Sequence, residues 1–471
     1  MFKPIHDICR LSPRVVQVGA VLLFAWLSVL YLLAANEALF YGGSEVVFGA
    51  IRRHTPFVAS FKLDGLEQTE APQLRVSPAL FPDFLDVPRG DGRHRWEGEN
   101  NKAIANLFLC TGTGTCGAKQ EKVVILSSFH FRGGHDGWTS GEDVWARSVI
   151  NGLDALGYTY LFASSVDHTL RLYQMFPSLV TAVFMEESEQ TACWNDDVTC
   201  VKSGHNPLGI PIWKILAFAF WPGPKGPLGA PWTLSPEPYG PAEGVYLGYS
   251  IERSCAQTPF VPHLSRSRAA PRAYVLAKRL EYLVGAWPRE FFAQAARENG
   301  VQFVLGADEG EEKGKVEKWM PEGTVNFGLL DQGRFVGELS RSALLIGVGR
   351  PSTSPTPYEA LCLGVPFLNP IFNWDRNDPT DRTKWDAQHG LAKYLDPPYV
   401  YNVFAGDREG FVNAVREAAE NPIDSFVLER MQLPSVIARL EKILERDYYA
   451  EAEALLARRR AGADVGPSFT L

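Results

Sequence analysis

Apolar and polar positions follow two alternating rhythms along most of this chain. Residues 122–128, KVVILSS, are a short β-branched run, which predicts a buried strand. The next stretch, FHFRGGHDGWTSG, reads as a loop rich in Gly, His and aromatic residues. Between 142 and 156 the apolar residues fall at 144, 145, 149, 150, 153 and 156, one face of a helix. Gly157 closes that helix, and 158–163 reads as the next strand. Further strands are expected at 180–185 and 212–220, followed by a long Pro/Gly loop over 221–247. The rhythm restarts at 273–277, AYVLA, a strand ending at Lys278. A helix over 288–299, a strand over 301–305 and a helix over 331–341 follow. Strand–helix–strand alternation is the signature of a parallel α/β sheet. Two such runs predict two Rossmann-like domains facing one another, with ligand at the carboxyl ends of the strands. Residues 424–460 are strongly helical and are expected to pack back on the domains.

The densest pattern lies at 344–376, LLIGVGRPSTSPTPYEALCLGVPFLNPIFNWDR. An apolar run ends at Gly347-Val348-Gly349, and a proline-punctuated loop leads into a short helix over 358–362. After Gly364 a second apolar run ends at Asn369-Pro370. A glycine turn feeding a helix N-terminus offers free N–H groups to an anion, so this is a candidate phosphate or diphosphate cradle.

Residues 15–35, VVQVGAVLLFAWLSVLYLLAA, break the globular pattern. Their length is close to the ~20 residues that span a bilayer. They exceed the apolar core of a cleavable signal peptide, which is roughly 7–15 residues. Lys3, Arg10 and Arg14 precede the run and Glu37 follows it, which predicts a cytoplasmic N-terminus with the rest of the chain outside. Residues 36–100 read as a stem interrupted by Pro72, Pro78, Pro82 and Pro88. Six of the seven Cys follow the anchor, in a compartment where disulfides persist. Cys110–Cys116 and Cys193–Cys200 are the attractive pairs because each closes a short loop, although six cysteines allow 15 connectivities. The net charge of −8 argues against a nucleic-acid partner. Most of the 12 Trp are expected in cores and loops.

The segment 328–373, GLLDQGRFVGELSRSALLIGVGRPSTSPTPYEALCLGVPFLNPIFN, resembles the N-acetylglucosaminyltransferase V family, the α-1,6-mannosylglycoprotein 6-β-N-acetylglucosaminyltransferases of glycosyltransferase family 18. The shared parts are a helix before the strand, the Gly-x-Gly turn, a Pro-x-Glu-Ala helix start and a FLNP-x-FN strand end. Ala387-Gln388-His389 followed by PPYVYNV, and Ser235-Pro236 with 246–252, are similar to further family segments. The likeness runs over roughly 120–440. It implies a GT-B fold, UDP-N-acetylglucosamine as co-substrate, inversion at the anomeric carbon, and no metal or other cofactor. The chain contains no D-x-D, the paired carboxylates that commonly hold Mg or Mn on a donor diphosphate.

The resemblance also implies roles for individual residues. Glu359 stands where the family binds the donor, next to Pro357, and would accept from the ribose hydroxyls. Arg376 stands where the family has a basic residue that pairs with the diphosphate. Lys278 matches a strand-end lysine that would contact the same group or lie on the surface. Gly347 and Gly349 form the diphosphate turn, with Arg350 and Ser352–Ser354 as further loop candidates. Glu142, after Gly141, matches the general base; otherwise it is a helix-capping carboxylate behind Ser140. His135-Asp136 is the alternative base. His130, His135, Asp136 and Trp138 are the acceptor-side candidates.

The expected organisation is a cytoplasmic tail (1–14), a transmembrane anchor (15–35) and a stem (36–100). An N-terminal Rossmann-like domain with the acceptor side and the base (101–265) follows. Then come a C-terminal Rossmann-like domain for the donor (266–430) and a helical tail (431–471). The expected protein is a type II Golgi membrane enzyme with a lumenal catalytic region and a glycan or glycoprotein acceptor. The acceptor hydroxyl expected is the 6-OH of a mannose on an N-glycan. The alternatives are a transferase of the same fold acting on a glycolipid or polysaccharide, or a non-catalytic sugar-binding relative. The oligomeric state is not legible.

Overall fold

The computed structural model describes residues 95–471, apart from 224, 259–260, 262–269 and 311–315. The expected tail, anchor and most of the stem lie outside the described residues. Among the described residues no helix is long and apolar enough to cross a membrane.

The chain begins with α1 (Arg95–Thr113), β1 (Val123–Leu126), α2 (Phe129–Asp136), α3 (Gly141–Leu156), β2 (Thr159–Phe162), α4 (Val166–Met175), β3 (Val180–Glu186) and α5 (Glu187–Trp194). It continues with β4 (Ile215–Phe218), β5 (Thr233–Ser235), β6 (Val245–Tyr246) and α6 (Glu252–Ala256). These six strands form one parallel sheet in the order β2-β1-β3-β4-β5-β6. Every residue of β1 and β4 is buried, as expected of strands covered by helices on both faces. Trp145 of α3 stacks on Phe218 of β4 with ring centroids 3.6 Å apart, anchoring that helix to the sheet.

The second half contains β7 (Arg272–Leu276), α7 (Arg289–Asn299), β8 (Gln302–Leu305), β9 (Val325–Asn326), α8 (Gln332–Ser340), β10 (Leu344–Gly347), α9 (Thr356–Cys362) and β11 (Phe367–Asn373). After these come β12 (Asp386–Ala387), β13 (Val400–Phe404), α10 (Arg408–Glu420), α11 (Leu433–Leu444) and α12 (Tyr448–Arg460). The second sheet has seven strands in the order β12-β11-β10-β7-β8-β9, with β13 also on β11. Only β12 is antiparallel.

Three local expectations change. The stretch read as a loop after β1 is the helix α2. Ser128 caps its start, and Gly137, in the left-handed region at φ 94°, closes it. Gly133 and Gly134 look like helix breakers but are needed for close packing. A Cβ on Gly134 would lie 2.8 Å from the Asp143 carbonyl of α3. The long Pro/Gly loop over 221–247 contains β5 and β6, which extend the first sheet. The helix α1 starts at Arg95, inside the stretch read as stem, and buries Trp96 and Asn100.

After α10 the chain crosses back to the first sheet. Leu433 N–H donates to Glu252 at 2.6 Å, and Arg439 donates to the Leu247 carbonyl at 2.7 Å. Leu440 of α11 sits where a Cβ on Gly152 of α3 would be, at 2.8 Å. The expected helical tail therefore packs on the first sheet's helix layer. Both short disulfides form, Cys110–Cys116 and Cys193–Cys200. The remaining pair, Cys255–Cys362, ties α6 to the end of α9.

Candidate active site

In an open parallel sheet, ligands bind where neighbouring strands send their connections to opposite sides. Counted in chain order, the second sheet runs 3-2-1-4-5, so its crevice lies beyond the ends of β7 and β10. Two cavities open there. One of about 380 Å³ is lined by Lys278, Gly306, Asp331, Ser354 and Glu359 of the second sheet's loops, and by Thr139 and Gly141 at the head of α3. The other, about 480 Å³, is lined by Glu281, Tyr282, Gly349, Arg350 and Phe372.

Glu359 is buried on the first cavity, 4% exposed, and its Oε1 has no hydrogen-bond partner. Burial raises its carboxyl above the usual range, while a bond from the Ser254 hydroxyl and the charge of Arg147 oppose the rise. Lys278 reaches the same cavity from the end of β7, and its ammonium has no carboxylate partner among the described residues. Pro357 is buried within α9, two residues ahead of Glu359.

The glycine turn is packed rather than open. A Cβ on Gly347 would meet Gln388 Oε1 at 2.3 Å, and one on Gly349, whose φ is +101°, would meet the Phe372 ring at 2.9 Å. The Gly349 N–H donates to Gln388 Oε1 at 2.8 Å, so it is not free for an anion. Gln388 also donates to the Pro351 carbonyl at 3.0 Å, which fixes the loop before α9. His389 beside it is fully buried against the Tyr358 ring, and burial, then the charge of Arg430, push its imidazole down to about 3. Arg376 is exposed and lies over the Trp374 ring, 3.3 Å from its centroid. The structure does not bring it to either cavity. Arg350 lines the larger cavity, and of 352–354 only Ser354 lines the smaller.

On the opposite wall, Ser140 caps α3 in a reciprocal capping box. The carboxylate in that box is Asp143, which accepts from the Ser140 N–H at 2.9 Å. Glu142 is thus released from the capping role. It is half-buried and has no hydrogen-bond or ion-pair partner among the described residues; it follows Gly141, which lines the smaller cavity, but does not itself line either cavity. His130 Nδ1 lies 2.8 Å from Asp143 Oδ1. Burial disfavours the charged imidazole, but the bond to Asp143 and the charges of Asp143, Glu186 and Glu142 raise it overall. Burial likewise opposes ionisation of Asp143, and its bonds from His130 and Ser140 outweigh that and lower it.

His135 and Asp136 face another way. His135 packs on Phe162 with centroids 5.1 Å apart, and Asp136 is 3.5 Å from Arg95 of α1. Trp138, 57% exposed, is in the turn between α2 and α3, and its carbonyl accepts from Arg147. Sequence reasoning missed Glu186, at the end of β3, which accepts from the Ser128 hydroxyl at 2.9 Å. Burial raises its carboxyl, against the Ser128 bond and the His130 charge. No sequence signal marks it, because only the pairing of β1 with β3 brings it to His130.

These are two parallel α/β sheets with a cleft between their crevices. Residues 301–455, the stretch from β8 into α12, match the family model "Glycosyltransferase family 18". The head of α3, with Glu142, lies outside the matched stretch. Among curated proteins, the Rattus norvegicus and Homo sapiens alpha-1,6-mannosylglycoprotein 6-beta-N-acetylglucosaminyltransferases A are 25% and 24% identical over 152 residues. That alignment spans 30% of this chain and 20% of either relative's length. Among solved structures, S. aureus MnaA with UDP is 10% identical with a TM-score of 0.38, over 74% of this chain and 100% of that one. A glycosyltransferase involved in avilamycin A biosynthesis is 14% identical with a TM-score of 0.39, over 74% and 99%. Both scores are too low to fix how the two sheets are placed.

Proposed function

We propose that this chain is an inverting, metal-independent glycosyltransferase of GT-B architecture. It moves N-acetylglucosamine from UDP-N-acetylglucosamine to a hydroxyl, the 6-OH of a mannose on an N-glycan. The observation that carries this reading is convergence. Lys278 and Glu359 from the second sheet, and Thr139 and Gly141 at the head of α3 from the first, line one cavity, and Glu142 is the next residue of α3.

Each group has a role that its surroundings support. The unpartnered Oε1 of Glu359 is available to accept from ribose hydroxyls. Lys278 offsets charge on the leaving diphosphate, which is where positive charge lowers the barrier to departure. Glu142 takes the proton of the acceptor hydroxyl as its oxygen bonds to the anomeric carbon and the bond to UDP breaks. Trp138, exposed in the turn ahead of α3, would offer a face to an acceptor sugar. The Golgi lumen and a type II anchor remain the reading of 15–35, and three disulfides support an oxidising compartment.

The test is turnover of UDP-N-acetylglucosamine against a panel of mannosylated acceptors, with chelator present and product linkage determined. A glycolipid or polysaccharide acceptor, or no turnover at all, would replace this reading with another transferase or with a sugar-binding protein. Glu142→Gln is expected to lower kcat by about 10²–10⁴ with folding retained. Wild-type turnover by that variant would remove Glu142 as the base.

A further inference from the structure

The larger cavity, about 480 Å³, has no part in the function proposed above. It lies beyond the carboxyl ends of three neighbouring parallel strands, β11, β10 and β7, where an open sheet takes its ligands. Glu281, Tyr282 and Val284 reach it from the turn of helix after β7, Arg350 from the loop after β10, and Phe372 from the end of β11. The β10–α9 loop borders both cavities. Its start, Val348 to Arg350, lines the larger one, and its end, Ser354 to Thr356, lines the smaller.

The hollow is held from behind by packing and hydrogen bonds. Trp287 Nε1 donates to the Gly347 carbonyl at 2.7 Å, and Gln388 fixes both Gly349 and Pro351. The Phe372 ring stands where a Cβ on Gly349 would be, 2.9 Å away, so the glycine lets an aromatic wall close on the turn.

We infer that this cavity is a sugar subsite, which holds one uncharged pyranose beside the donor site. This rests on the transferase reading above and assigns the cavity which that reading leaves empty. The volume falls in the range of small-ligand sites. Tyr282 and Phe372 offer rings, and Val284 and Val348 add apolar wall, which suits the C–H faces of a pyranose. Glu281 can accept from sugar hydroxyls and Arg350 can donate to them. Arg279 lies 3.5 Å from Glu281, but both side chains are about two-thirds exposed, so that pair is weak and leaves the carboxylate to a ligand. Arg350 has no ion-pair partner among the described residues. One carboxylate and one guanidinium in the lining suit an uncharged ligand better than a diphosphate, which Glu281 would repel. The ring has two sources: the N-acetylglucosamine of the donor, or a sugar of the acceptor glycan next to the reacting one.

The test is calorimetric titration of the full-length protein with three probes: UDP, UDP-N-acetylglucosamine and a mannotriose. Val284 is 63% exposed, so Val284→Trp fills the mouth of the cavity without entering the core. Tyr282→Ala removes one ring, and Tyr282→Phe keeps it. UDP has no sugar ring beyond its ribose, so its Kd should stay within about twofold in all three variants. Val284→Trp and Tyr282→Ala should weaken a sugar-bearing probe about tenfold, and Tyr282→Phe should bind it as wild type does. Weakening of UDP-N-acetylglucosamine alone assigns the ring to the donor, and weakening of the mannotriose assigns it to the acceptor. Unchanged binding of both sugar-bearing probes overturns the inference. So does a parallel loss of UDP in Val284→Trp and Tyr282→Ala, because the hollow would then serve the fold alone. Failure of the wild-type protein to bind UDP would instead remove the transferase reading, and the inference with it.

Discussion

The buried ion pair between Glu237 and Arg430 should be the most sensitive point in the link between the two sheets. Glu237 follows β5 and its side chain is fully buried; Arg430 lies on the returning segment ahead of α11. Their N–O separation is 2.9 Å. Tyr249 donates to the other Glu237 oxygen at 3.1 Å, and Arg430 also donates to the Tyr358 hydroxyl at 2.7 Å. Tyr358 precedes Glu359, so the pair holds the first sheet, the return segment and the donor-side helix together. At that separation and an effective dielectric of about 20, the attraction is about 6 kcal/mol before desolvation is counted. Removing one partner strands the other charge, at a net cost of about 3–5 kcal/mol. Glu237→Gln keeps the side-chain shape and removes only the charge. Its Tm should fall by about 5 °C in thermal unfolding of the full-length chain. The double variant Glu237→Gln/Arg430→Met should recover part of that loss, because no charge is left unpaired. A Glu237→Gln Tm within about 1 °C of wild type would refute the reasoning, since a pair worth several kcal/mol cannot be lost silently.

Two further outcomes are expected. Burial raises the Glu359 carboxyl, so the folded protein holds that proton more tightly than the unfolded chain. Its contribution to stability is present at low pH and is lost as pH rises through the folded pKa. Glu359→Gln mimics the protonated acid; it should match wild type in acid, exceed it in stability at neutral pH and above, and raise donor KM about tenfold, read by melts across pH and by steady-state kinetics. Cys255–Cys362 closes a sequence separation of 107 residues, so Cys255→Ala/Cys362→Ala should cost about 2–4 kcal/mol, with a matching fall in the urea midpoint.

The parts of the fold legible in the sequence are those whose signal is local. The strands at 273–277 and 344–347 are continuous apolar runs because helices cover both faces of the sheet, and the structure forms them almost residue for residue. The helix α3 announces itself by its apolar face and by Ser140 at its head. The failures have a common cause in packing across the chain. Gly133-Gly134 argues locally against a helix, yet the glycines are what let α2 lie on α3. The strands β5 and β6 span three and two residues, too short for a period, and exist because an existing sheet edge offers partners. Of the smaller cavity's lining, Glu359, Lys278 and Gly141 could be named from the sequence. Asp143 and Glu186 could not be, because the meaning of each depends on His130, which topology alone delivers. Arg376 shows the converse: a matching position in the chain did not put its side chain at a cavity.

The charge of the two crevices gives a reason for the division of labour that does not depend on the resemblance. The first sheet's crevice holds Glu142, Asp143 and Glu186 around one imidazole, a surplus of negative charge that disfavours a diphosphate. The second sheet's crevice holds the Lys278 ammonium, while its nearest buried acid, Glu359, is pushed by burial toward the neutral form. On the proposed reading a nucleoside diphosphate would therefore go to the second sheet, where the unpartnered Glu359 Oε1 can accept from a ribose hydroxyl. An uncharged sugar hydroxyl suffers no such exclusion from the first. On the same reading Glu142 would take that hydroxyl's proton, so the charge that disfavours a diphosphate at the first sheet suits an acceptor there.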